Sequence, residues 1–235
     1  VASSNLVMST KNKFVSIGII MNNLLFEMNN MPVVSGSGGQ NIADSLAKIL
    51  EMEYIRLEDR KFPDGEGYVR VPGEEIDKIR SESVILVSNT YPDSNILKTI
   101  LLLKAIGDVR KGDLSNLKGE EPQELSDVGK GIILAIPYYG YSRQDKRFSK
   151  GEVVSARVIA NIMANYCDGM VILDLHEKKV MDNMEFPIIF VSSMIEIAKK
   201  LEKEVFPDFI LSPDKGAIDR ASRVAKLIGC EFSYL

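Results

Sequence analysis

Apolar residues along this chain follow two alternating periods. Short continuous runs rich in β-branched side chains stand at PVVS (32–35), SVILVSNT (83–90), GIILAIP (131–137), MVILDLHE (170–177), IIFVSS (188–193) and FILSPD (209–214). Runs of this kind, bounded by Gly, Pro, Asp or Ser, predict strands of the sort buried in a parallel sheet. Between them lie stretches whose apolar positions recur three and four residues apart: NIADSLAKILEM (41–52), NILKTILLLKAIGDV (95–109), VVSARVIANIMANY (153–166), MIEIAKKLEKEV (194–205) and AIDRASRVAKLIG (217–229). That spacing predicts helices, and in the first of them Ile42, Leu46, Ile49 and Leu50 fall on one face. YIRLED (54–59) predicts a short strand leading into KFPDGEGYVRV. Strand and helix in repeated alternation predict an α/β protein with a mostly parallel sheet flanked by helices. In such sheets ligands bind beyond the carboxyl ends of the strands.

Composition narrows the picture. The 235 residues are 45% hydrophobic, enough for a sizeable core. A net charge of -4 gives no general attraction to nucleic acid or to an anionic membrane surface, so any phosphate site has to be a local basic patch. No apolar run approaches the roughly 20 residues that span a bilayer. Cys167 and Cys230 sit in apolar helical contexts without CxxC spacing, and both are expected to be small buried hydrophobes in a reducing cytoplasm. Lys11 and Lys13 precede FVSIGIIM (14–21), which resembles a signal peptide. The next segment, NNLLFEMNN, is too polar, and the expectation is an incomplete or misassigned N-terminus instead.

Candidate chemistry clusters at the predicted strand ends. PYYGYSRQDKR (137–147) stops the run GIILAI with an aromatic turn and a cationic cluster. Guanidinium forks grip phosphate oxygens in pairs, as a polyanion site requires, although a tight turn and a solvated helix start would use the same residues. In KFPDGE (61–66), Pro-Asp-Gly is turn chemistry. Phe62 can also stack on a base, while Asp64 and Glu66 can accept hydrogen bonds from an exocyclic amine. His176, the single histidine, follows MVILDL two residues after Asp174 and beside Glu177. Strand alternation would put Asp174 and His176 on one face, where an acid and an imidazole can hold Mg²⁺ and its waters, or the imidazole can contact a phosphate. In SGSGGQ (35–40), Gly36 and Gly38 begin a G-x-G-x-x-G pattern that Asn41 breaks, and no G-x-x-x-x-G-K-[ST] occurs. The glycines therefore predict a strand-to-helix turn.

KFPDGE, PYYGYSRQDKR, DLHE (174–177) and SPDKGAIDRA (212–221), in this order, resemble ribose-phosphate pyrophosphokinase, the phosphoribosyl pyrophosphate synthase family. The resemblance runs from about Val33 to the last residue. EKKVMDNMEF after His176, in place of a Gln-rich and Phe-rich loop, looks closer to short archaeal members. The resemblance implies a type I phosphoribosyltransferase-like fold. A first α/β domain would cover 31–186, a second, incomplete domain 187–235, and residues 1–30 would be an extension. It implies an enzyme that transfers pyrophosphate from MgATP to ribose 5-phosphate, yielding AMP. The ATP contacts implied are Arg143 and Gln144 first, then Asp145, Lys146 and Arg147, with Phe62, Asp64 and Glu66 facing the adenine bound to a neighbouring subunit. His176 and Asp174 would lie at the metal–nucleotide site, with His176 and Arg143 as the catalytic residues. Asp214 would lie near Mg²⁺ and the ribose 5-phosphate. Shared sites imply a cytoplasmic homo-oligomer.

Two segments depart from the family. Residues 108–130 are expected to form an exposed, charged loop where members join helix to strand more directly. The family's Thr-Gly-Gly-Thr turn for the sugar phosphate is not found, so these residues are expected to carry the ATP half of a site and, alone, to lack turnover. The alternatives weighed are a non-catalytic associated subunit and a phosphoribosyltransferase-like enzyme that consumes phosphoribosyl pyrophosphate.

Overall fold

The computed structural model describes residues 31–112 and 131–235, so the expectations for 1–30 and 113–130 lie outside the described residues. The chain divides into two compact units, one ending at Phe190 and the other spanning Val191–Leu235. In the first unit the strands are β1 (Val33–Ser35), β2 (Tyr54–Arg56), β3 (Glu58–Lys61), β4 (Gly67–Arg70), β5 (Val84–Val87), β6 (Ile132–Ile136), β7 (Gly169–Leu173) and β8 (Ile188–Val191). The helices between them are α1 (Gln40–Leu50), α2 (Ile76–Ser81), α3 (Asp93–Lys111) and α4 (Ser155–Met163).

Six strands form one sheet in the order β2-β1-β5-β6-β7-β8, and the four pairs from β2 to β7 run parallel. β8 joins this sheet, and the division between the units falls within it, between Phe190 and Val191. β3 and β4 form a separate antiparallel hairpin. YIRLED is therefore not one strand: buried Leu57 breaks it, donating its N–H to the Ser35 carbonyl at 2.9 Å.

Strand alternation sends successive side chains to opposite faces. Val34, Leu86, Leu134 and Ile136 enter a large core with Ile79 of α2, Leu102, Leu103 and Ile106 of α3, and Ala156, Ala160 and Met163 of α4. Val33, Ile85 and Val87 face the other way, against Ala43 and Ala47 of α1. Helices thus cover both faces. α3 buries Ile96, Thr99, Leu102, Leu103, Ile106 and Val109 at helical spacing and ends at Gly112, whose φ of 73° provides the left-handed cap. The helix runs through 108–111, so the expected loop does not begin at 108.

α1 corrects the sequence expectation differently. Of its bulky apolar face only Leu46 packs against the core, half-buried: Ile42 is 45% exposed and Ile49 78%, while Ala43 and Ala47 are the fully buried residues. Close approach explains the choice. A Cβ on Gly39, at the start of the helix, would lie 2.3 Å from the Val87 carbonyl oxygen. Small side chains therefore take the most buried positions beneath a helix whose start is held that near the sheet.

The second unit consists of α5 (Met194–Glu204), β9 (Phe209–Ser212), α6 (Ile218–Ile228) and β10 (Glu231–Tyr234), with β9 and β10 parallel. α6 buries Ala221, Val224 and Ala225. Neither cysteine lies inside a helix. Cys167 follows the turn that ends α4 and is buried, and burial pushes its thiol up to about 12. Cys230 follows Gly229 and is only half-buried, which corrects its expected burial. Among the described residues no helix is long and apolar enough to cross a membrane.

Candidate nucleotide site

β6 ends at Ile136, and Pro137 opens the tyrosine turn. That turn is fastened to the loop after β5. Tyr138 N–H donates to Asn89 Oδ1 at 3.0 Å, Thr90 N–H donates to the Tyr138 carbonyl at 3.1 Å, and Gly140 N–H donates to Thr90 Oγ1 at 2.7 Å. Tyr139 alone of the three tyrosines is a core residue. Its hydroxyl donates to the Ala156 carbonyl on α4 at 2.7 Å, and burial pushes its pKa far above the ordinary phenol value. Tyr138 stands exposed, edge-on to Tyr91 with centroids 5.8 Å apart. Tyr141 adopts φ 62° and redirects the chain, and the Asp93 carboxylate beside it raises its phenol pKa.

The cationic cluster then divides by role. Gln144 is built into the loop: its N–H donates to the Tyr141 carbonyl at 3.0 Å, and its own carbonyl accepts from Ala156 N–H at 3.3 Å. Arg147 Nε donates to the Glu152 carbonyl at 2.8 Å, and Lys146 Nζ lies 5.3 Å from the centre of the Phe148 ring. Glu152 Oε2 accepts from Phe148 N–H at 2.6 Å. Backbone N–H groups, Phe148's first and then Ser149's, hold the Glu152 carboxyl below the usual carboxylate range. Arg143 is exposed and has no partner among the described residues, so its fork is available to an anion.

β7 ends at Leu173, before DLHE. Asp174 has φ 47°, a left-handed turn, so strand alternation does not place Asp174 and His176 on one face. Leu175 plugs the core at 5% exposure and His176 points out. His176 Nδ1 lies 3.3 Å from Asp145 Oδ2, an oxygen of a side chain only 8% exposed. Two loops from adjacent parallel strands, β6 and β7, therefore meet at the carboxyl edge of the sheet. Glu177 instead caps the short 3₁₀ turn Lys178–Met181, with Oε1 accepting from Lys179 N–H at 3.0 Å.

KFPDGE forms the predicted turn at the tip of the β3–β4 hairpin. Phe62 N–H donates to the Glu66 carbonyl at 2.8 Å, Gly65 adopts φ 95°, and Asp64 Oδ1 accepts from Glu66 N–H at 3.0 Å. Asp64 thus spends one oxygen on the turn. Phe62 is 38% exposed and edge-on to Tyr68, with the Arg60 guanidinium 4.8 Å from its ring centre. Asp214 follows β9 in the second unit, where its Oδ1 accepts from Ala217 N–H at 2.9 Å.

Among the described residues no group of three or more His, Cys, Asp or Glu side chains forms a cation cage. Mg²⁺ commonly takes one or two carboxylates and completes its octahedron with water and phosphate oxygens. The half-buried Asp174, two residues before His176, fits that mode.

Sequence reasoning missed one element. Asp59 on β3 has a side chain 1% exposed and lies 2.8 Å from Lys98 Nζ of α3. Ser37 donates to it through both N–H, at 2.9 Å, and Oγ, at 2.5 Å. The three residues are far apart in the chain, and no spacing pattern announces them.

Known proteins are similar to this chain in sequence and in fold. A family model described as the N-terminal domain of ribose phosphate pyrophosphokinase matches residues 127–166. Proteins named ribose-phosphate pyrophosphokinase are similar along most of the chain. The one from Methanobrevibacter smithii is 35% identical over 207 residues, 86% of this chain and 62% of that protein. The one from Saccharolobus solfataricus is 32% identical over 208 residues, 87% of this chain and 64% of that protein. The chain therefore spans less than two thirds of these relatives' length. The fold matches the crystal structure of phosphoribosylpyrophosphate synthetase from Mycobacterium smegmatis with a TM-score of 0.69 at 21% identity, over 87% of this chain and 63% of that one. The architecture is thus type I phosphoribosyltransferase-like, and along most of its length the chain is similar in sequence to ribose-phosphate pyrophosphokinases, a family of enzymes.

Proposed function

We propose that this chain carries the ATP half of a ribose-phosphate pyrophosphokinase site. The observation that supports it best is the meeting of the β6 and β7 loops through Asp145 and His176, with Arg143, unpartnered among the described residues, on the same loop as Asp145. Arg143 grips the polyphosphate, and Gln144, held by its backbone, turns the loop toward it. Lys146 and Arg147 add positive charge nearby. His176, braced through Nδ1 by Asp145, presents its other ring nitrogen to the nucleotide. Asp174 is the first choice for holding Mg²⁺ in the first unit; in the second unit, taken by itself, Asp214 is the residue proposed to meet the ribose 5-phosphate. Bound Mg²⁺ would supply charge neutralisation on the phosphate oxygens.

In the reaction so proposed, the anomeric hydroxyl oxygen of ribose 5-phosphate bonds to the β-phosphorus of ATP and loses its proton. The bond between that phosphorus and the α–β bridging oxygen breaks, releasing AMP. No covalent enzyme intermediate is needed, and positioning with charge stabilisation carries the rate. Phe62, Asp64 and Glu66 would contact the adenine of a neighbouring copy, so the protein is proposed to be a homo-oligomer. Its substrates place it in the cytoplasm.

The reading is tested by nucleotide choice and by product. MgATP is expected to bind about tenfold or more tighter than MgUTP, which lacks an exocyclic amine. In any longer form that includes the sugar-phosphate turn, AMP is expected to appear in step with added ribose 5-phosphate. Equal binding of both nucleotides, or ADP as the product, would contradict it.

A further inference from the structure

The β3–β4 hairpin stands outside the six-stranded sheet, yet on the reading above it must hold its tip at a fixed angle. Its register pairs Glu58 with Arg70, Asp59 with Val69, and Arg60 with Tyr68. Alternation therefore splits the hairpin into two faces. Arg60, Phe62 and Tyr68 share the outer one, with the guanidinium 4.2 Å from the Tyr68 ring centre. Val69 and Asp59 share the inner one. Val69 packs against the core, as expected, but its cross-strand partner is a carboxylate with a side chain 1% exposed.

A buried carboxylate is unfavourable unless it is paired and hydrogen-bonded. Here Lys98 Nζ lies 2.8 Å from it, both donors of Ser37 reach it, and Lys98 Nζ also donates to Ser37 Oγ at 2.8 Å. The triad joins three elements: the turn after β1, strand β3 and helix α3. A slip of β3 by one residue would turn Asp59 outward and bring Glu58 or Arg60 in without those partners. The bonds thus fix both the register and the tilt of β3, three residues before Phe62.

We propose that Asp59, Lys98 and Ser37 are positioning residues that aim the hairpin tip at its base-bearing ligand. The inference rests on the reading of that tip as the adenine contact. It predicts that loosening the triad weakens binding of the base and leaves binding of the polyphosphate unchanged.

Titration calorimetry with MgATP and with magnesium tripolyphosphate, which has no base, separates the two. Lys98→Met is expected to weaken MgATP about fivefold or more and to leave tripolyphosphate within about twofold. Lys98→Arg, which keeps the charge, should recover most of the loss. Ser37→Ala removes hydrogen bonds without stranding a charge, so it serves as a folded check if Lys98→Met unfolds; it should shift MgATP alone, about twofold or more. Equal weakening of both ligands would mean a merely structural role, and no change in either would remove the triad from binding altogether. If the wild-type chain itself binds tripolyphosphate as tightly as ATP, the adenine assignment of the hairpin fails, and the positioning role fails with it.

Discussion

Replacing Arg143 with alanine is expected to weaken MgATP binding by about 10- to 100-fold while leaving thermal stability almost unchanged. Hydrogen bonds to charged groups are worth about 1.5–3 kcal/mol each, and every 1.4 kcal/mol is about tenfold in affinity. Arg143 is exposed and holds no partner among the described residues, so its removal breaks nothing inside the fold and stability should move by less than about 0.5 kcal/mol. Arg147 contrasts with it. Its guanidinium is tied to the Glu152 carbonyl, so Arg147→Ala should loosen the loop rather than remove a phosphate contact. Calorimetric titration of both variants checks the difference. An Arg143→Ala chain that binds MgATP like the wild type would remove this residue from the site.

Gly140→Ala is expected to have the largest effect on stability and to disturb binding as well. A Cβ there would lie 2.2 Å from the Thr90 carbonyl oxygen and 3.0 Å from its carbon. The obstacle is backbone, and Thr90 is itself fixed through its N–H to the Tyr138 carbonyl. Neither loop can yield alone, so the fastening between the β5 and β6 loops has to open. Overpacking typically costs about 1–3 kcal/mol, and a rigid neighbour puts this site near the upper end. A loss of about 3 kcal/mol in a chain of this size lowers Tm by about 6–12 °C. Thermal unfolding reads it directly, and a Tm within 2 °C of the wild type would show that the two loops move apart freely.

The strands were legible because parallel-sheet strands are nearly continuous apolar runs, and GIILAIP and MVILDLHE fall where β6 and β7 lie. The turn at Phe62–Glu66 was equally legible, since Pro-Asp-Gly chemistry is local. Which face of α1 is buried was not. Hydropathy favoured Ile42 and Ile49, but the distance between helix and sheet selected Ala43 and Ala47, and a distance is a tertiary quantity. Strand alternation failed for Asp174 and His176 because Asp174 takes a left-handed conformation at the strand end, which few non-glycine residues do. The 3.3 Å contact between His176 and Asp145 joins residues 31 apart, and the Asp59–Lys98 pair joins β3 to α3. Such long-range polar contacts leave no period in a sequence.

His176 is the chain's single histidine, so its imidazole signals in an NMR spectrum need no assignment. The most direct test of a joint ATP site at the β6 and β7 loops is to follow those signals during titration with MgATP. The account predicts a saturable shift for the wild type that moves to about 10- to 100-fold higher MgATP in Arg143→Ala, in step with the calorimetric change. Imidazole signals that stay in place at millimolar MgATP, or that shift equally in both proteins, would contradict it.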